Sequence, residues 1–441
     1  MIRLLSILFI IFLSYEALAA PALYRPLRKG KSFKVERIKR SGYVRNGPAA
    51  LRKAYRKFGA TGSHMDYPDS NDGDFDPYPS GMRDQSSSTT SSSSSASSSS
   101  SATTSTDQEG TVSVTSVDDG EEFVSPVLIG GQNITLDFDT GSADMWLINS
   151  ELPSEDTEGH EVYDPSSSST FEYVEGDFEV EYGDGSYVAG YLGKDTVSIG
   201  GVEVADQVFG LPVEVSSTFI EDTSSNGLVG LSFSSINSFN PGPQKTFFDN
   251  VAPDLDEPVF TSRLRSDGVG EYGFGTIDHS LHSGTLANVS VDSSNGYWQF
   301  NSTTFKVGDG HSWNISDTTI SIADTGTTLL LVSADVVSYY YGEVSGSTYS
   351  SKVGGYIYPC DADLPDLALG MGESSYQAVV PGSVLNYAEV GTNSTTGETM
   401  CYGGVQSCAG YGFQIFGDIF LRSFYVVFDK RGPSLGVASS S

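Results

Sequence analysis

Residues 134–142, Ile-Thr-Leu-Asp-Phe-Asp-Thr-Gly-Ser, and residues 319–327, Thr-Ile-Ser-Ile-Ala-Asp-Thr-Gly-Thr, are two versions of one pattern: a strand-like run ending in Asp-Thr-Gly and a hydroxyl residue. Their aspartates, Asp139 and Asp324, stand 185 residues apart. Each is followed by a second apolar segment that closes on glycine, Gly227-Leu228-Val229-Gly230 in the first half and Gln414-Ile415-Phe416-Gly417 in the second, 91 and 93 residues beyond its aspartate. A short match arises by chance. Two matches with corresponding elements at near-equal spacing identify a duplicated unit. The architecture implied is all-β and bilobal, two similar β lobes with one Asp from each and a cleft between them.

Composition agrees. The 441 residues exceed what one hydrophobic core serves, and 49 Gly, 24 Phe and 24 Tyr with only 18% charged residues read as strand and turn, not helical bundle. Residues 1–106 hold 15 Lys+Arg against 8 Asp+Glu, net +7, and residues 107–441 hold 9 against 48, net −39, which together give −32. So acidic a body excludes nucleic acid as a partner.

The basic part divides further. Arg3, the apolar stretch Leu4–Leu13 and the small-residue pattern Ala17-Leu18-Ala19 have the layout of a secretory signal peptide over 1–19. A membrane anchor would need roughly 20 apolar residues, and the stretch has about ten. The last residues, Gly436–Ser441, lack the hydrophobic tail of a lipid-anchor signal, so secretion without a membrane anchor is expected. From Ala20 to Lys57 there are thirteen basic residues and one acid, Glu36. Opposed to the acidic body, this segment reads as a detachable helper, a solvated charge run being the alternative. Within it, Pro48–Phe58 has helical spacing with Leu51, Tyr55 and Phe58 on one side, and Lys39-Arg40 offers a dibasic processing site. Ser86–Thr106 is almost wholly Ser and Thr, a linker that cannot fold and that suits O-linked sugar. Asn133, Asn288, Asn301, Asn314 and Asn393 stand in N-glycosylation motifs. The expected organisation is therefore a signal peptide at 1–19, a basic prosegment at 20–85, a linker at 86–106, an N-terminal lobe at 107–300 and a C-terminal lobe at 301–441.

With the paired Asp-Thr-Gly motifs, Trp146, the hairpin Tyr182-Gly183-Asp184-Gly185-Ser186, the stretch Asn226–Asn237 and the closing Ile415–Leu421, the chain after about residue 111 resembles the pepsin-like aspartic proteases, in particular their secreted fungal branch. The basic segment with Phe33 and Val35 is similar to that family's prosegment, although the Ser-rich tract departs from its usual tail. The resemblance implies an aspartic endopeptidase, made as a zymogen, that cuts extended polypeptides in acid, with its own prosegment as intramolecular inhibitor. A monomer without cofactor or metal is expected.

The chemistry follows from two carboxylates held about 3 Å apart, which cannot both ionise and therefore share a proton. The ionised member takes a proton from an attacking water while the other donates to the peptide carbonyl. Resemblance assigns these roles to Asp139 and Asp324 and places Ser142 and Thr327 on the outer carboxylate oxygens, with Thr140 and Thr325 in the supporting layer. Gly141 and Gly326 let backbone N–H groups approach the inner oxygens, and Thr328 belongs with the substrate-binding loop. Strand alternation puts Asp137 on the face of Asp139, with a solvated strand face as the alternative. It likewise puts Ile322 on the face of Asp324, either as a wall of the primed-side pocket or as core.

The two glycines of the Tyr182 hairpin suit a mobile flap closing over substrate, and the family pattern bonds Tyr182 to Trp146. Phe219 and Tyr297 are pocket candidates. Large apolar side chains are expected around the cut bond, and Asp184 at the flap tip is placed to pair with Lys before it, as in fungal relatives with the same Tyr-Gly-Asp-Gly pattern. A turn-forming Asp facing solvent is the alternative. Three cysteines permit three single bridges, and an oxidising route leaves one thiol over. The resemblance pairs Cys360 with Cys401 and leaves Cys408.

Other classes lack their parts. A glycoside hydrolase also uses paired carboxylates but does not explain two Asp-Thr-Gly repeats. His279 and His282 have zinc-like spacing without partner cysteines, and no Gly-x-Ser-x-Gly elbow occurs. The remaining alternative is a pepsin-like fold serving as a binding or inhibitor protein.

Overall fold

The computed structural model describes residues 32–39, 45–58, 75–78, 123–181, 187–223, 225–264, 270–373 and 375–441, and strands dominate it. The signal peptide, the Ser/Thr tract and the hairpin tip 182–186 lie outside the described residues. Local sequence accounts for the strands directly. In Gln132–Asp139 the alternate residues Ile134, Leu136 and Phe138 are buried. That strand is joined to Phe123–Ile129 by Gly130-Gly131 at φ 53° and 83°, and Gly200-Gly201 at φ 58° and 82° joins Tyr187–Ile199 to Val202–Val215. Both central positions of such a turn need positive φ, which glycine supplies without strain.

One 13-stranded sheet runs from His282–Ser290 through Ser434–Ser440, Phe424–Asp429, Val259–Leu264 and Gly270–Phe274 to Phe33–Lys39, and on through Phe123–Ile129 into the first half. The basic segment's strand thus fills the middle of the sheet, with Phe33 opposite and stacked on Phe274 at 4.6 Å. Three sheets of five, four and five strands build the second half. The repeat read in the sequence is visible as two parallel strand pairs: Phe138 and Asp139 lie beside Val229 and Gly230, and Ala323 lies beside Phe416. Each pair delivers one Asp-Thr-Gly loop to the interface. A disulfide joins Cys360 to Cys401 beside the pairing of Gly355–Pro359 with Thr399–Gly403, and the Cys408 thiol is buried.

The helix Gly47–Phe58 crosses the cleft. Its start is set by Asn46, whose Oδ1 accepts from the N–H of Ala49, and by Pro48 in the first turn. Its buried face is Ala50, Leu51 and Ala54, with Tyr55 and Phe58 half-buried against the second half. Among the described residues no helix is long and apolar enough to cross a membrane.

Candidate active site

The two Asp-Thr-Gly loops meet face to face. Asp139 Oδ1 accepts from the N–H of Gly141 at 2.8 Å and Oδ2 from Ser142 Oγ at 2.6 Å. Asp324 repeats the pattern, Oδ1 from the N–H of Gly326 at 3.0 Å and Oδ2 from Thr327 Oγ1 at 2.5 Å. The glycines have a second role that the sequence did not disclose. A Cβ on Gly141 would stand 2.5 Å from Asp324 Oδ1, and one on Gly326 would stand 2.4 Å from Asp139 Oδ1, so each loop needs glycine to admit the other loop's carboxylate.

Thr140 and Thr325 contact backbone rather than the carboxylates. Each threonine's Oγ1 accepts from the other's N–H, at 3.1 and 3.0 Å, and donates across the interface, Thr140 to the carbonyl of Ala323 and Thr325 to that of Phe138. Four buried hydrogen bonds therefore lock the two loops in register. Beneath them Tyr272 Oη also donates to the Phe138 carbonyl.

Between the inner oxygens sits an ammonium. Lys57, in the last turn of the cleft helix, donates from Nζ to Asp139 Oδ1 at 2.5 Å and to Asp324 Oδ1 at 2.7 Å. Burial disfavours all three charges, and their mutual attraction decides the outcome. Lys57 is desolvated, yet the two carboxylates raise its pKa above the ordinary lysine range. Asp139 is desolvated too, but the Lys57 charge and hydrogen bonds from Asp324, Lys57 and Ser142 hold it below the usual carboxylate range. Asp324 goes the other way, pushed up to about 6 by burial and the charge of Asp139 against the pull of Lys57.

A second charge cluster lies at the floor. Arg37, on the strand Phe33–Lys39, is fully buried; its guanidinium donates to Asp418 Oδ1 and to Ser262 Oγ, each at 3.4 Å, and covers the Tyr272 ring at 4.7 Å. Burial pushes the Asp418 carboxyl up to about 7, with Asp137 and Asp324 adding to the rise and Arg37 opposing it. The N–H of Asp418 donates to the Thr327 carbonyl at 2.8 Å, so this cluster joins the second Asp loop directly.

A cavity of about 490 Å³ remains along the cleft, lined on one side by the helix and on the other by Asp137, Asp139, Gly141, Trp146, Phe219 and Tyr297 among others. Trp146 and Phe219 meet edge to face at 5.6 Å. Phe58 is set against Tyr297 and against Phe413 and Tyr411 of the second half. Thr328 is buried, its carbonyl accepting from the N–H of Ile419. Ile322 is not a pocket wall: only 1% exposed, it packs in the core. Along its strand Ile320 is exposed while Ile322 and Asp324, on the same face by alternation, are buried, so packing against the core decides its place. Tyr182, Gly183 and Asp184 lie outside the described residues. Among the described residues no three His, Cys, Asp or Glu side chains gather as metal ligands.

With this geometry in hand, comparison with known proteins is direct. The family description of eukaryotic aspartyl proteases matches residues 122–440. A protein of Aspergillus fumigatus named as an aspergillopepsin A-like aspartic endopeptidase is 51% identical over 435 residues, 98% of each chain. The aspartic protease PEP3 of Coccidioides posadasii is 40% identical over 97% of this chain and 94% of its own. Penicillopepsin-1 of Penicillium rubens is 47% identical over 75% of this chain and 81% of its own.

Proposed function

The chain belongs to the eukaryotic aspartyl protease family, and from that premise we propose that it is an exported zymogen whose two catalytic groups are Asp139 and Asp324. It is an aspartic endopeptidase of pepsin-like fold. Without the ammonium between them, two carboxylates that both reach one Nζ are too close to ionise together, the general behaviour of aspartic-protease pairs. A water in the position of that ammonium is within reach of both. The ionised member removes a proton from it, the protonated member donates to the peptide carbonyl oxygen, and the tetrahedral species collapses without a covalent enzyme intermediate. Gly141 and Gly326 hold the inner oxygens, Ser142 and Thr327 the outer ones, and the threonine cross-bonds keep the pair in register.

The observation that carries the zymogen reading is the double contact of Lys57. Residues 20–85 then act as an inhibitory prosegment, with Lys57 on the dyad and Arg37 beneath it. Acid opens this arrangement in stages. Arg37 holds the Asp418 carboxyl below where burial alone would put it, so their ion pair is present above about 7 and is lost as pH falls through that value. The Lys57 contact outlasts it, because Asp324 protonates near 6 and Asp139 only below the usual carboxylate range.

Cleft walls of Trp146, Phe219 and Tyr297 favour large apolar side chains, and Asp184 adds acceptance of Lys before the cut bond. Matched Lys and Leu peptides with Asp184→Thr test this last point: equal losses for both would remove it. Exposed Asn133, Asn288, Asn301 and Asn314 fit sugar on a secreted monomer. The main test follows the purified full-length chain at neutral and acid pH. Acid should cut residues 20–57 from the body and bring on activity together, while Asp139→Asn stays intact. Full activity at pH 7 in a sample retaining residues 20–57 would refute the zymogen reading.

A further inference from the structure

The strand Asn386–Asn393 has one neighbour on its own sheet, Thr399–Gly403, and its other edge is covered by Phe75–Pro77 from the N-terminal region. An uncovered strand edge is a ready template for another chain. Here it is taken up by a three-residue strand that ends in proline, a residue suited to an edge because it has no N–H to leave unpaired. Pairing is antiparallel, Phe75 opposite Asn393 and Pro77 opposite Gly391, and the N–H of Tyr78 donates to the Val390 carbonyl at 3.0 Å.

Three features show that the edge is shaped for this occupant. Phe75 is 5% exposed, the burial of a core side chain. Lys352 donates from Nζ to the Phe75 carbonyl and lies 5.9 Å from the Phe75 ring centroid. A Cβ on Gly391 would meet Asp76 O at 2.4 Å and Phe75 Cε2 at 2.5 Å, and its three nearest atoms all belong to the docked strand. Glycine at 391 therefore makes room for the docked segment. None of these residues lines the cleft cavity. The same strand also receives the start of the cleft helix, where Arg45 donates to the Tyr387 carbonyl at 2.9 Å.

We propose that this edge is a second peptide-binding site, outside the cleft, whose occupant is the segment Phe75–Tyr78 of the same chain, and that it retains the prosegment after cutting. The inference rests on the zymogen reading. A cut beyond Tyr78 leaves one fragment holding both Lys57 and Phe75, and a fragment held at two points rebinds at one before it leaves the other. Recognition is by strand addition, with a pocket for an aromatic side chain and a cation for the carbonyl before the acidic residue.

The test uses acid-processed enzyme and peptides of residues 45–58 and 45–80. The longer peptide should inhibit on the order of 10²-fold more tightly. Phe75→Ser in the peptide, or Gly391→Ala in the enzyme, should each return it to the level of the shorter one, whose own inhibition constant Gly391→Ala leaves unchanged. Equal inhibition by both peptides on the parent enzyme would overturn the proposal. If neither inhibits, it is the Lys57 reading that fails, and a labelled peptide of residues 73–80 still decides this one by fluorescence anisotropy with the cleft filled by a statine-type analogue. Binding that Gly391→Ala abolishes supports the site, as does mass-spectrometric detection of Phe75–Tyr78 still on the processed enzyme. The absence of both retention and binding would contradict it.

Discussion

The two halves are built alike around their aspartates, yet each carries one additional buried carboxylate where the other has leucine. Five residues after Asp139 stands Asp144, and the matching position after Asp324 is Leu329. The residue after Gly230 is Leu231, and the residue after Gly417 is Asp418. Both added carboxyls are raised by burial. Their partners differ in kind. Asp144 accepts from Asn237 Nδ2 at 2.6 Å and from the N–H and Oγ of Ser238 at 2.8 Å, all within the first half. Asp418 is paired with Arg37, on the basic segment proposed as a prosegment. One buried acid is satisfied permanently and serves the fold. On the proposed zymogen reading the other is satisfied only while the basic segment is in place, and acid sensitivity of the precursor would be concentrated there.

The largest effects test whether the two halves contribute equally to chemistry. Asp139→Asn and Asp324→Asn should each lower kcat on denatured protein by about 10³-fold or more with the fold retained, since either change removes one proton-transfer partner. A variant near the parental rate would dissolve the pairing of the halves. Next comes Lys57→Met, which leaves the dyad uncovered; the full-length chain should then cleave peptide near pH 6.5, where the parent is silent, and silence in the variant would show that the helix blocks the cleft without its ammonium.

The contrast between the added acids is sharpened by replacing each with its counterpart. Asp418→Leu strands Arg37 as a buried cation, so the precursor should process itself at higher pH, and Arg37→Met added to it should restore latency. Asp144→Leu should leave the processing pH in place and lower thermal stability, because it strips the acceptor from the buried Asn237 amide at a cost of about 1–3 kcal/mol. Interchangeable behaviour of the two leucine variants would erase the distinction. The smallest effect concerns Ser142→Ala, expected to reduce kcat/KM about tenfold through loss of a charge-assisted hydrogen bond of about 1.4 kcal/mol. It should also move the acid limb of the pH profile upward, since the Ser142 hydroxyl helps hold Asp139 low.

What could be read in the sequence, and what could not, divides by range. The Asp-Thr-Gly loops are local patterns repeated at matched spacing, so the bilobal β architecture and its two aspartates follow from residues near each other in the chain. Lys57 is one of four basic residues on a single helix with Arg52, Lys53 and Arg56, and nothing local says which reaches the dyad; the distance from Asn46 to the helix end decides it. Asp418 reads as the start of a short helix, and its partner lies 381 residues away. Phe75–Pro77 carries no strand signal of its own, since three residues ending in proline form a strand only against an edge already made. Ile322 stays open between pocket wall and core in the sequence for a related reason: alternation assigns faces within a strand but says nothing about what covers them.

The central claim is that Asp139 and Asp324, freed of Lys57, act on one shared water. Digestion of a denatured protein by the acid-processed chain, with and without a statine-type analogue whose hydroxyl takes that water's place, tests it most directly. Cleavage at acid pH that the analogue stops completely at stoichiometric concentration is the predicted result. Undiminished cleavage in its presence, by the same purified chain, would contradict it.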